Sequence, residues 1–276
     1  MKNYITRTQF NLFSKKLLVK SKRPRIYESF DVINAIYYIL ITGSQWRNLP
    51  ENYPPFKLVF FHYSKWKKGK IFHVILAWLQ NRYHRSKPIV LIIDNQSISD
   101  SDLPANRYKG YDGHKKRKGR KRCILIDQDG NISCAKYYPA NYHDTVCAKA
   151  IIEYYKETRF GRTNKTKVYI YGDKGFHSPA TKQEIERKYK NLIEYQAISR
   201  LTKPDTTTKI GLELYKEQYG YMHELIIKSG WKVERTFAWL QKYRRLNLNY
   251  ERTISSLESM IILAGIRIFL KRLRVV

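Results

Sequence analysis

Ile89-Val90-Leu91-Ile92-Ile93-Asp94 decides how this chain is read. Five aliphatic, largely β-branched residues in a row predict a strand buried on both faces, with Asp94 delivered at its end. A second short apolar strand is expected over Lys167 to Tyr171, running into Gly172-Asp173-Lys174-Gly175. Between them, Cys123 to Ile126 and Ile132 to Tyr138 flank Asp127-Gln128-Asp129-Gly130, whose Asp and Gly suit a hairpin turn with positive φ. A helix is expected from about Asp144 to Lys156, another after Ser178-Pro179, and a strand near Leu192 to Tyr195. Strands alternating with helices in this way predict an α/β sheet domain.

Outward from that block the texture changes. Residues 1–85 read as helical. Ile33, Ile36, Tyr37 and Leu40 fall at helical spacing before Gly43, and the same spacing recurs in Phe56–Trp66 and in Ile71–Leu79. Three short helices in a basic context fit either a DNA-binding module or a helical cap over the next domain. The domain division expected is 1–85 helical and 86–276 α/β. Residues 200–230 read as an insertion, and two further helices are expected at about Trp231–Leu246 and Ile254–Leu273.

The charge narrows the partners. With 53 Lys and Arg against 23 Asp and Glu, the formal net charge of the 276 residues is +30. A fold so unbalanced repels itself unless a polyanion is its partner, and nucleic acid rewards such a surface through counterion release. Cys123, Cys134 and Cys147 form no CxxC pair, which fits reduced thiols and excludes a zinc knuckle. The longest apolar run, Met260 to Ile266, is too short to span a bilayer, and no signal peptide is recognisable. The expectation is a cytoplasmic, nucleoid-associated protein with no membrane partner.

In so basic a chain, acids on apolar strands carry information. A carboxylate at a buried strand end is costly unless paired or bound to metal. Asp94 and Asp173 would converge if their strands are neighbours, because open α/β sheets gather ligands beyond strand C-termini. Glu234 lies on the polar face of the helix at Trp231–Leu246, with Ala238, Gln241 and Arg245, opposite an apolar face of Val233, Phe237 and Leu240. Three carboxylates suit two divalent cations and in-line attack on phosphorus. The same three residues would serve equally as two turn or cap aspartates and a surface glutamate.

Several longer motifs bear on that choice. Gly43-Ser44-Gln45-Trp46-Arg47-Asn48-Leu49-Pro50, the basic segment Lys109 to Arg122, Pro139 to Asp144, Tyr171 to Phe176, Val233 to Leu240, Tyr243 to Leu246 and Tyr250 to Arg252 together resemble bacterial insertion-sequence DDE transposases of the insertion sequence five group. The resemblance runs from about Phe30 to Leu273. It implies an RNase H-like core with a mixed sheet flanked by helices, a catalytic and metal-binding triad of Asp94, Asp173 and Glu234, two Mg²⁺ ions with Mn²⁺ as a substitute, and DNA cleavage and strand transfer. Its implied partners are double-stranded DNA, as transposon ends and target, and further copies of the chain when DNA is bound.

Lys115 to Arg122, seven basic residues in eight, reads as a phosphate-gripping loop, with Lys115, Lys116, Lys118, Arg120, Lys121 and Arg122 as its expected DNA contacts. Lys174 is expected at a phosphate, and Arg235, Lys242 and Arg245 along a DNA channel. The chain departs from the family at Gly230, often Arg, and at Gln241, commonly basic. A nuclease or resolvase of the same fold, and a decayed copy that only binds DNA, remain as other readings.

Overall fold

The computed structural model describes residues 2–17, 26–83, 89–100, 108–159, 167–190, 192–197, 208–210, 212–213 and 230–273. Most of the expected insertion at 200–230 lies outside them. Five helices come first: α1 (Arg7–Asn11), α2 (Ser14–Leu17), α3 (Ser29–Thr42), α4 (Phe56–Lys68) and α5 (Ile71–Tyr83). The glycine expected to stop α3 does so, since Gly43 adopts φ 75° and its N–H donates to Ile39.

A mixed sheet follows, built from β1 (Ile89–Ser99), β2 (Gly110–Asp112), β3 (Arg117–Asp127), β4 (Ile132–Pro139), β5 (Val168–Gly172) and β6 (Ile193–Ala197). Antiparallel β3 lies on one side of β1, and parallel β5 then β6 lie on the other. The far edge of β3 is shared end to end by β2 and β4, both antiparallel to it. Gly130 takes φ 83° in the β3–β4 turn, as Asp-Gly chemistry predicts. α6 (Asp144–Arg159) and α7 (Pro179–Lys188) make the crossovers on either side of β5; a helix through residues 230–241, here α8, and α9 (Ile254–Arg272) complete the chain. Three antiparallel strands with two parallel strands added beside the first is the RNase H-like arrangement.

Each face of the sheet has its own core. Leu91, Ile93, Cys123, Leu125 and Cys134 pack with α6 and with β5 and β6, and all three cysteines are buried there. Ile92, Ile124, Ile126 and Ile132 face the other way, into a cluster shared with α8, α9 and the helices α1 to α5. Opposite destinations for alternate residues explain the unbroken aliphatic run at 89–93. The N-terminal helices therefore sit on one side of the sheet and enter its core.

Three expectations are corrected. β1 does not end at Asp94 but continues to Ser99, pairing with β3 along its whole second half. The basic run is mostly strand rather than loop, because Arg117 to Arg122 supplies the pairing partners of that half, Ile98 to Gln96 among them. The helix carrying Glu234 stops at 241 rather than 246; a separate 3-10 turn, Arg244–Leu246, follows, so Arg245 is not on its polar face.

Candidate active site

Asp94 sits mid-strand, and its neighbour across β1–β5 is fixed by register. Ile93 pairs with Gly172, so Asp94 and Asp173 are the next residues along two parallel strands about 4.8 Å apart. Ile92 and Ile124 belong to the α8 side of the sheet, and Asp94, two residues after Ile92 and opposite Ile124, shares that face. The Asn95 amide N–H donates to Asp94 Oδ1 at 2.6 Å. Burial pushes the Asp94 carboxyl up to about 7 against that hydrogen bond, and the Asp173 and Asp144 carboxylates push the same way. Asp173 caps a short 3-10 turn, accepting the Gly175 N–H at 3.0 Å. Its carboxyl is raised too, by desolvation first and by Asp144 after.

Asp144, the first residue of α6, is the functional neighbour that sequence reasoning passed over. A Cβ on Gly175 would lie 2.9 Å from Asp144 Oδ2 and 3.3 Å from Asp173 Oδ1, so glycine there is what lets the two carboxylates approach. Asp144 differs from the strand pair in being neutralised. Lys121 Nζ donates to it at 2.7 Å, Asn95 Nδ2 at 2.8 Å, and it occupies a helix N-terminus. In the sequence it looks like an ordinary helix-start aspartate; only its place beside His143 in a quoted motif hinted otherwise.

No described residue forms an ion pair with Asp94 or Asp173, and Lys115 is the cation whose field lowers both. Two hard oxygen donors, crowded and short of positive charge, suit a divalent cation. Glu234 is exposed on α8, whose Val233, Phe237 and Leu240 pack in the cluster holding Ile92 and Ile124. Among the described residues no three His, Cys, Asp or Glu side chains stand close enough to hold a metal ion, so the structure does not bring Glu234 into one cluster with the strand pair.

The expected DNA-facing residues divide by burial. Lys115, Lys116, Lys118, Lys174 and Lys242 are exposed. Lys121 is held between Tyr142 O and Asp144. Arg235 donates to Asp129 O and stacks between Trp231 and Trp239, 4.3 and 4.6 Å from their ring centres. Arg120, Arg122 and Arg245 are buried. Arg245 Nε meets Glu251 Oε1 at 2.7 Å and its Nη1 reaches Ser44 O, while Arg120 pairs with Asp100 at 3.6 Å and donates to Tyr108 and Glu251 carbonyls. As expected surface cations all three are corrected: Arg120 and Arg245 lie where β3 and the segment after α8 are tied to the rest of the chain, and Arg122 is buried against Gln96 and Phe237.

Acidic residues adjacent on the central parallel strands of an RNase H-like sheet are an arrangement suited to metal-dependent phosphoryl transfer. The model of the transposase DDE domain family matches residues 85–269, and the chain belongs to that family. A second model, that of a domain assigned to transposases of the IS4/5 family, matches residues 5–76. Together they make the chain an IS4/IS5-type DDE transposase, and transposases of this type use divalent metal ions. No curated protein matches it. Among solved structures it is similar to a piggyBac transposase synaptic complex with hairpin DNA, at 12% identity and TM-score 0.47, covering 97% of this chain and 71% of that one. It is also similar to a Mos1 transposase paired-end complex with the left transposon end, at 13% identity and TM-score 0.27, covering 82% of each chain. No helix among the described residues is long and apolar enough to cross a membrane.

Proposed function

We propose that this transposase cuts at the ends of its element and joins the freed 3′-hydroxyl to target DNA, with Asp94, Asp173 and Glu234 as its catalytic carboxylates and Mg²⁺ as the working metal. The observation that carries this reading is the strand pair itself: Asp94 and Asp173 are neighbours, both raised and with no ion pair among the described residues, in a chain of net charge +30. Asp94 and Asp173 would hold the metal from the sheet, and Glu234 from α8, which lies over the Asp94 face. Bound there, divalent cations activate an attacking oxygen and stabilise the leaving one.

The chain's own residues supply position. Lys115, whose charge acts on both acids, and Lys174, next to Asp173, fix the phosphate to be cut; Lys116 and Lys118 hold its neighbours. Exposed Lys57, Phe60, Phe61, Lys65 and Lys68 along α4 give the N-terminal helices a basic, aromatic face for a second stretch of duplex. Two ends must be brought together, so copies of the chain assemble on DNA in the cytoplasm.

The test uses the element's terminal sequences as duplex DNA with Mg²⁺. Asp94→Asn, Asp173→Asn and Glu234→Gln should each lose cleavage by several orders of magnitude while DNA binding survives. Ca²⁺ should support binding with little cutting. Full cleavage by Glu234→Gln would remove that residue from the triad, and cleavage without joining would make the enzyme a nuclease.

A further inference from the structure

Asp144 opens α6, yet its carboxylate does not cap the helix as an aspartate there ordinarily would. His143 takes the first amides instead. The Thr145 N–H donates to His143 Nδ1 at 3.3 Å, and the Val146 and Cys147 N–H groups donate to the His143 carbonyl. The Asp144 side chain turns to the sheet. Its Oδ1 accepts from Lys121 Nζ on β3 and from Asn95 Nδ2 on β1, and Lys121 is itself anchored on Tyr142 O at 2.8 Å. Three segments distant in sequence meet at one oxygen and hold the carboxylate in a single orientation.

The other oxygen is left over. Oδ2 accepts no hydrogen bond from any described residue. It faces Asp173 across Gly175: the point a Gly175 Cβ would occupy is 2.9 Å from Asp144 Oδ2 and 3.3 Å from Asp173 Oδ1. Asn95 Oδ1, on the other branch of the amide that holds Asp144, is buried with no hydrogen-bond partner. A buried acceptor without a donor is costly, so water belongs here. Asp144 keeps 30% of its side-chain surface, which leaves water a way in. Among the described residues no third acid completes a direct metal cluster with Asp144 and Asp173, so Asp144 acts from outside the metal's ligands. Mg²⁺ dehydrates reluctantly and keeps several waters, whose hydrogens need oxygens placed just beyond the ligands.

We propose that Asp144 is a positioning residue of the cutting site: its free Oδ2 accepts from the water shell of the divalent cation that Asp173 holds, and Lys121 and Asn95 fix it for that role. It rests on the assignment of Asp94 and Asp173 as metal carboxylates. Lys121 then serves the site through Asp144 rather than through DNA phosphate, unlike the exposed lysines of the same basic run. Glycine at 175 keeps the space between the two carboxylates open.

The experiment reads metal and DNA separately on the full chain. Mn²⁺ affinity is taken from the free-ion electron paramagnetic resonance signal without DNA. The Mg²⁺ needed for half-maximal cleavage is taken on duplexes carrying the terminal sequence, and DNA binding is measured in EDTA. Asp144→Asn keeps the shape and an acceptor for Lys121 but removes the free anionic oxygen. It should weaken Mn²⁺ binding, and raise the half-maximal Mg²⁺, by about tenfold to a hundredfold. Saturating Mg²⁺ should restore most of the cleavage rate, and binding in EDTA should not weaken. Gly175→Ala is the second variant. Gly175 lies outside the left-handed region, so its backbone accepts alanine, while the added Cβ displaces the Asp144 oxygen. Its Mg²⁺ requirement should rise in the same direction with every acid present. Unchanged Mn²⁺ affinity in both variants, where Asp94→Asn and Asp173→Asn lower it, would overturn the role of Asp144 alone. So would a cleavage defect that saturating metal does not restore. Unchanged Mn²⁺ affinity in Asp94→Asn and Asp173→Asn would instead take the metal away from the strand pair, and this role with it.

Discussion

Asp94 carries its carboxyl where water is scarce and two other acids are near, and the sign of its effect on stability follows from that. The folded state raises it to about 7, above the ordinary aspartate value, so the fold favours the protonated form. Its contribution is fully present below the ordinary value and is lost as the pH rises toward and through about 7. Without metal, the protein should lose on the order of 1–3 kcal/mol from this group between about pH 4 and pH 7.5. Asp94→Asn should flatten the loss, and denaturant titrations in EDTA at the two pH values measure it. A variant that melts with the same pH dependence as the parent would show that Asp94 is solvated. Asp173 shifts in the same direction but is exposed, so its contribution should be smaller. Of the acids at this site, the strand pair was legible because each follows an apolar run. Asp144 was not, since a first-turn aspartate is common on any helix, and only the fold brings Gly175 and Asp173 against it.

Among the elements, the second half of β1 and the basic half of β3 make the sheet's least expected pairing. Asp94 to Ser99 is polar and 117–122 is almost wholly cationic, so neither reads as strand. What stabilises them lies far away in sequence. Asn249 Nδ2 donates to Asp100 at 2.6 Å and its N–H to Ser99 O; Glu251 accepts from Arg245 through its carboxylate and from Arg120 through its carbonyl. A strand that depends on partners more than a hundred residues away cannot be found by local periodicity. The hairpin, α3 with Gly43, and the helices at 144 and 179 could be, because their caps and turns are local. Removing one member of this buried set leaves charge unpaired, so Glu251→Gln should cost about 3–5 kcal/mol. Loss of under 1 kcal/mol in thermal or chemical melts would place that pair in water. Exposed Lys182→Ala, which breaks only a surface pair with Glu186, should cost at most about 0.5 kcal/mol.

At the scale of the whole molecule the net charge of +30 governs affinity before any base is read. DNA binding should weaken steeply with salt, the slope of log K against log[salt] being about −0.9 per phosphate neutralised. Lys115, Lys116 and Lys118 are exposed, whereas Lys121 is already tied to Asp144. Replacing the first three by Ala should make the slope shallower by up to about 3 and weaken all sequences alike. An unchanged slope in titrations from low to physiological salt would show that the turn at 113–116 and the start of β3 do not touch phosphate. A sequence-selective loss would make it a reader of bases. Composition forecast the polyanion, but burial of Arg120, Arg122 and Arg245 was beyond it, since charge counts do not say which cations the fold keeps inside.

The shared core on the α8 side of the sheet also has a consequence in time. Tyr37 Oη donates to Leu263 O, Tyr63 Oη to Ser256 O, and Gln9 Nε2 to Leu270 O, so the earliest helices are closed by α9. A ribosome makes residues 7–83 long before 254–272. During that interval the basic N-terminal helices lack the partner that orders them, and the usual early folding of a leading domain is denied to them. Competence to hold DNA should thus arrive abruptly, near the completion of α9, rather than grow with chain length. Arrested nascent chains stopped before residue 254 should be protease-sensitive throughout residues 26–83, and chains carrying α9 clear of the exit tunnel should be protected there.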